Sequence, residues 1–96
     1  MDYSREKDTD ATGDLIVEFN ASDVGSLLIV VDSAAYWGFG DLSQAVTPIP
    51  MQGMIMMDWQ AFPPEIRQFG QKMVRIFMKR QSAGTLKTYI NFLGRT

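Results

Sequence analysis

Neither cysteine nor histidine occurs in this 96-residue chain, and that pair of absences narrows the ways so short a sequence can be held together. No disulfide framework and no thiolate zinc site is available as a staple. Any fold therefore has to come from burying apolar side chains in a single modest core. The composition allows it: hydrophobic residues make up 46% and charged residues 21% of the chain, near the globular average and away from the regime of disordered sequences. The same absences bear on chemistry. The cysteine nucleophile and the usual general base at neutral pH are both missing, while Asp41 and Asp58 stand alone in the sequence. No catalytic residue, metal ligand or cofactor site is expected, and the chain reads as a binding protein, not an enzyme.

The longest uninterrupted apolar run, residues 27–31, is far short of the roughly 20 residues that cross a bilayer as a helix. The first ten residues, MDYSREKDTD, are polar and acidic, unlike the basic and then apolar layout of a secretory signal. The sequence reads as cytoplasmic, with neither a membrane nor a small-molecule substrate among its expected partners.

Charge divides the chain. Residues 1–58 hold ten acidic side chains against Arg5 and Lys7, a balance of −8, whereas residues 59–96 hold seven bases against Glu65, a balance of +6. Such asymmetry points to nucleic acid or an acidic partner for the basic part, or to mutual neutralisation of the two parts on packing.

Periodicity gives the expected elements. Residues 1–13 show none and end at Gly13, so they read as a disordered leader ahead of one domain spanning 14–96. Residues 15–19 (LIVEF) and 26–31 (SLLIVV) are rich in β-branched types and separated by turn residues, which predicts a hairpin or two neighbouring strands. The second run is apolar at nearly every position and reads as buried on both sides. A third short strand is expected at 36–39, followed by a loop at 40–50 and a methionine-rich segment, MQGMIMM, at 51–57. That segment is read as ordinary packing, with an adaptable binding groove as its other use. Trp37 and Trp59 are expected to anchor the core.

Residues 59–96 carry the helical expectation. Pro63, Pro64 and Glu65 suit a helix entry. Beyond them Ile66, Phe69, Met73, Ile76 and Phe77 gather on one helical arc, with Lys72, Arg75 and Lys79 opposite. After residues 82–84, Thr85 is placed to cap a second helix bearing Leu86, Tyr89, Ile90 and Leu93 at helical spacing. The fold class expected is thus α+β: two or three strands in an acidic part, 14–58, packed with two amphipathic helices in a basic part, 59–96.

The layout MDWQAFPPEIR at 57–67, a basic amphipathic helix, and then SAGTLKTY at 82–89 resembles the N-terminal and core-binding region of large tyrosine recombinases, the phage-type integrases. The likeness covers residues 57–94. It implies a DNA-binding fragment lacking the family's catalytic domain, with Lys72, Arg75, Lys79 and Lys87 on phosphates and Tyr89 in the core, not a nucleophile. The other reading is a small protein-interaction module, an accessory, inhibitor or oligomerisation protein, that meets a protein partner or a second copy through its strands or its methionine-rich segment.

Overall fold

Side chains from residue 73 onward alternate strictly. Val74, Ile76 and Met78 are buried while Met73 and Arg75 are exposed, and farther on Leu86, Thr88, Ile90 and Phe92 are buried while Tyr89, Asn91 and Leu93 are exposed. A period of two is the signature of strands with one face on a core. The computed structural model describes residues 3–20, 24–58 and 73–94. These form β1 (Tyr3–Thr9), β2 (Asp14–Asn20), β3 (Val24–Val31), β4 (Ala35–Phe39), β5 (Thr47–Ile49), β6 (Met54–Asp58), β7 (Met73–Arg80) and β8 (Leu86–Gly94), with one 3-10 turn at Leu42–Gln44.

The α+β expectation is therefore corrected to an all-β fold. The C-terminal part of the first expected helix is β7, and the second expected helix is β8. The helix entry at 63–65, Trp59 and Lys72 lie outside the described residues. Tyr3–Thr9, expected within a disordered leader, form β1. The strands expected at 15–19 and 26–31 exist, but they pair with other partners in different sheets, not with each other.

Pairing follows a simple rule. β1 pairs with β8, β2 with β7, β3 with β6 and β4 with β5, every pair antiparallel. The chain is thus one long hairpin whose tip is the β4–β5 connection. Two lateral joins, β3 with β8 and β4 with β7, roll this ribbon into sheets of order β1-β8-β3-β6 and β2-β7-β4-β5. Eight antiparallel strands wound in this way form a jelly roll.

The two sheets bury a shared core. Leu27, Ile29, Val31, Ile55, Met57, Leu86, Ile90 and Phe92 come from the first sheet; Ile16, Val17, Phe19, Ala35, Ile49, Val74, Ile76 and Met78 come from the second. Phe19 meets Phe92 edge to face across the interlayer space, with ring centres 5.0 Å apart. Each fully buried aliphatic side chain stabilises by roughly 1.5–3 kcal/mol, against about 1 kcal/mol or less for an exposed ion pair. The core, not the surface charge, holds the sandwich together.

One end of the roll is closed by backbone bonds between its turns. Arg80 N–H donates to Asp10 O at 3.0 Å, Gln81 N–H to Ala34 O at 3.0 Å, and Asp32 N–H to Lys87 O at 3.1 Å. The β1–β2 turn is set by the Asp10 carboxylate, which accepts from Thr12 and Gly13 N–H, and by Gly13 at φ +92°, a conformation natural to glycine. On the outer side of the second sheet the 41–45 loop crosses Gly38 so closely that a Cβ there would lie 1.7 Å from Gln44 O. Only glycine fits beneath that loop.

Candidate interaction surface

Of the four cations expected to contact phosphates, the three that are described are not gathered on one surface. Arg75 and Lys79 alternate with Val74, Ile76 and Met78, so they stand on the outer side of the second sheet. Lys87 stands on the outer side of the first sheet, across the sandwich, and Lys72 lies outside the described residues. Each of the three described cations also has acidic or aromatic company. Arg75 Nε lies 2.5 Å from Glu18 Oε2, Lys79 Nζ sits 5.9 Å from the centre of the Tyr36 ring, and Lys87 is the register partner of Asp8. Elsewhere Lys7 pairs with Asp14 at 3.4 Å, and the Arg80 guanidinium donates to Ser82 and Ala83 oxygens of its own turn. Among the described residues Arg75 and Lys7 are ion-paired and the three expected cations are split between two outer faces, whereas nucleic-acid binding calls for a basic stripe.

The outer face of the first sheet has a different character. Antiparallel register puts directly opposed residues on the same face, and here it aligns Met56 with Leu28 and Asn91, then Met54 with Val30, Tyr89 and Glu6. Ser26 and Leu93 form a further row. Met56 is 71% exposed, Leu93 61% and Met54 57%, and Leu28 and Val30 are half-buried beneath them. A shallow groove with almost wholly apolar walls runs over Leu28 between Met56 and Leu93. Single exposed apolar residues are ordinary, but contiguous ones mark contact surfaces. Met54 and Met56 belong to the segment read as either packing or groove, and β6 does both: Ile55 and Met57 point into the core, Met54 and Met56 away from it.

By sequence Leu93 belongs to the apolar stripe of an expected helix, and Leu28 and Val30 to a strand expected to be buried on both sides; none of the three is read there as part of an open face. The available signal was the run at 26–31, apolar on both strand faces. Its inner half fills the core; its outer half stands on the open face.

Among the described residues, no three Asp or Glu side chains come together as a metal-holding group, and no helix is long and apolar enough to cross a membrane. Comparison with known proteins returns no matching family model, no similar curated protein and no similar solved structure.

Proposed function

We propose that this chain is a non-catalytic protein-interaction module that assembles through the outer face of its first sheet. The carrying observation is the contiguous row of Met54, Met56, Leu28, Val30 and Leu93 on that face. Methionine-rich faces re-pack readily against another protein surface. Jelly rolls serve in virus coats, lectins and cupins. That is analogy at the level of the fold, which does not fix function, but the coat-type use needs only shape and adhesive faces. A cupin centre would draw on histidine, which this chain lacks.

The test uses two probes on the folded protein. An apolar fluorescent dye, bis-ANS, is expected to bind the native chain and to be lost in the Leu28→Thr/Leu93→Thr double variant with its thermal transition retained. A labelled DNA duplex titrated at low and high salt is expected to show no binding. Absence of dye binding, or equal binding by the double variant, removes the interaction face. Steeply salt-dependent DNA binding that is lost with Lys72, Arg75 and Lys79 changed to alanine restores the DNA-binding reading in its place.

A further inference from the structure

The four edge strands of the two sheets are not equivalent. An open edge offers a row of unpaired N–H and C=O groups, and proteins block such edges with charge, proline, bulges or brevity. β1 carries Arg5, Glu6, Lys7 and Asp8 in succession. β5 is three residues long and contains Pro48. β2 is bulged between Leu15 and Val17 and bears Asp14 and Glu18. β6, with Met54, Ile55, Met56 and Met57 ahead of its terminal Asp58, has none of these devices along its first four residues.

The free main-chain groups of β6 can be identified. Val31 N–H donates to Gly53 O at 3.1 Å, while Gly53 N–H turns back to Pro50 O at 2.9 Å; this one bond puts Val31 and Gly53 at a hydrogen-bonding position of the register that opposes Ile29 to Ile55 and Leu27 to Met57. Such positions alternate with non-bonded ones in an antiparallel ladder. The Gly53 carbonyl and the N–H and C=O groups of Ile55 and Met57 therefore face β3, while those of Met54 and Met56 point away from the sheet. Among the described residues nothing pairs with that side of β6. The side chains of the same two residues are the exposed methionines of the open face.

We infer that β6 is a self-pairing edge: two copies of this chain join antiparallel through Met54 and Met56, with Met54 of one copy opposite Met56 of the other, making one continuous eight-stranded sheet. This inference rests on the interaction-module reading and adds a second copy as the partner at the edge of the same sheet, with the outer face left open. A second copy is favoured because the edge is uncharged from 54 to 57, so two identical edges meet without repulsion. The contact also suits a two-fold axis, where one patch must complement itself. It sets the open faces of the two copies side by side, joining the rows through Met56 and Leu28 into one wider apolar surface.

Sedimentation velocity over a concentration series, combined with amide hydrogen exchange, tests this. The wild-type chain is expected to dimerise, with the Met54 and Met56 amides protected in the dimer and unprotected on dilution. Met56→Pro removes only an N–H that points away from β3, a position where edge strands accept proline. It deletes two of the intermolecular bonds and is expected to weaken dimerisation at least about tenfold. Met56→Lys sets like charges across the axis and gives the same loss should the proline variant not fold. Leu93→Ser, on the face but away from the edge, keeps the dimer. A wild-type chain that stays monomeric at every concentration, or a folded Met56→Pro variant that dimerises like wild type, overturns the inference. Neither result alters dye binding to the face, so failure of the edge and failure of the interaction-module reading remain separable.

Discussion

Replacing Thr88 with valine is expected to stabilise this protein. Thr88 lies on the inward face of β8 between Leu86 and Ile90, opposite Val31 on β3 and Lys7 on β1, and is fully buried. Among the described residues its Oγ1 has no hydrogen-bond partner. A hydroxyl held in apolar surroundings without a partner costs about 1–3 kcal/mol. Valine keeps the branched shape, suits a strand at least as well, and adds a buried methyl group where the oxygen was, worth about 0.8 kcal/mol. At the lower end of that range the sum is a gain of about 2 kcal/mol. At about 4–8 °C per kcal/mol for a domain of this size, that raises Tm by about 8–16 °C. Urea unfolding followed by tryptophan fluorescence measures it, with an unchanged m-value showing that only stability has moved. Thr88→Ser, which keeps the hydroxyl and loses the methyl, is expected to move the other way by about 1 kcal/mol. A loss of 1 kcal/mol or more in Thr88→Val at constant m would mean that the hydroxyl is satisfied in the folded protein, and the reasoning fails.

Gly38→Ala places a Cβ against Gln44 O and C at 1.7 and 2.4 Å; both are backbone atoms, so the 41–45 loop must lift, and thermal melts should record a loss of about 2 kcal/mol or more. Ile76→Ala opens a cavity where the two sheets meet and is expected to cost about 2–5 kcal/mol in urea, since Ile76 has no exposed surface. Arg75→Ala removes the ion pair with Glu18, but its side chains are 52% and 37% exposed. With solvent screening the change in stability should stay within about 0.5 kcal/mol.

How much of this was legible in the sequence depends on the strand. The runs at 15–19 and 26–31 announced themselves through β-branched residues, though nothing local showed that they belong to different sheets, because their partners lie dozens of residues away. β7 was misread for a specific reason. Met73, Ile76 and Phe77 satisfy helical spacing, and only the alternation of Val74, Ile76 and Met78 with Arg75 and Lys79 reveals the strand. In β8 the buried Thr88 breaks the apolar alternation, while the neighbouring pairs Tyr89–Ile90 and Phe92–Leu93 simulate a helical stripe. β1 was invisible to apolar patterning because it is a charged edge, and its order comes from pairing with β8. For the surface, the charge asymmetry left a basic face and mutual neutralisation both open; the register that sets Glu18 beside Arg75 and Asp8 opposite Lys87 is visible only once the strands are paired.

The nested pairing also orders the steps by which this chain can reach its structure. β4 and β5 are joined by only residues 40–46, whereas Tyr3 must find Phe92. Closing a loop costs about 0.6 kcal/mol more for each doubling of its length, and once the inner pair has formed, each outer pair has a gap to close that is far shorter than its full separation along the chain, the longest being residues 59–72 before β7. A path from the tip outward, β4–β5 first and β1–β8 last, therefore avoids meeting the full entropy of the longest loop at once. Such non-local pairing still belongs to the slow range, roughly milliseconds to seconds. In its late stages a chain on this path holds β8 with one side unpaired, and the charged β1 is the piece that finally covers it.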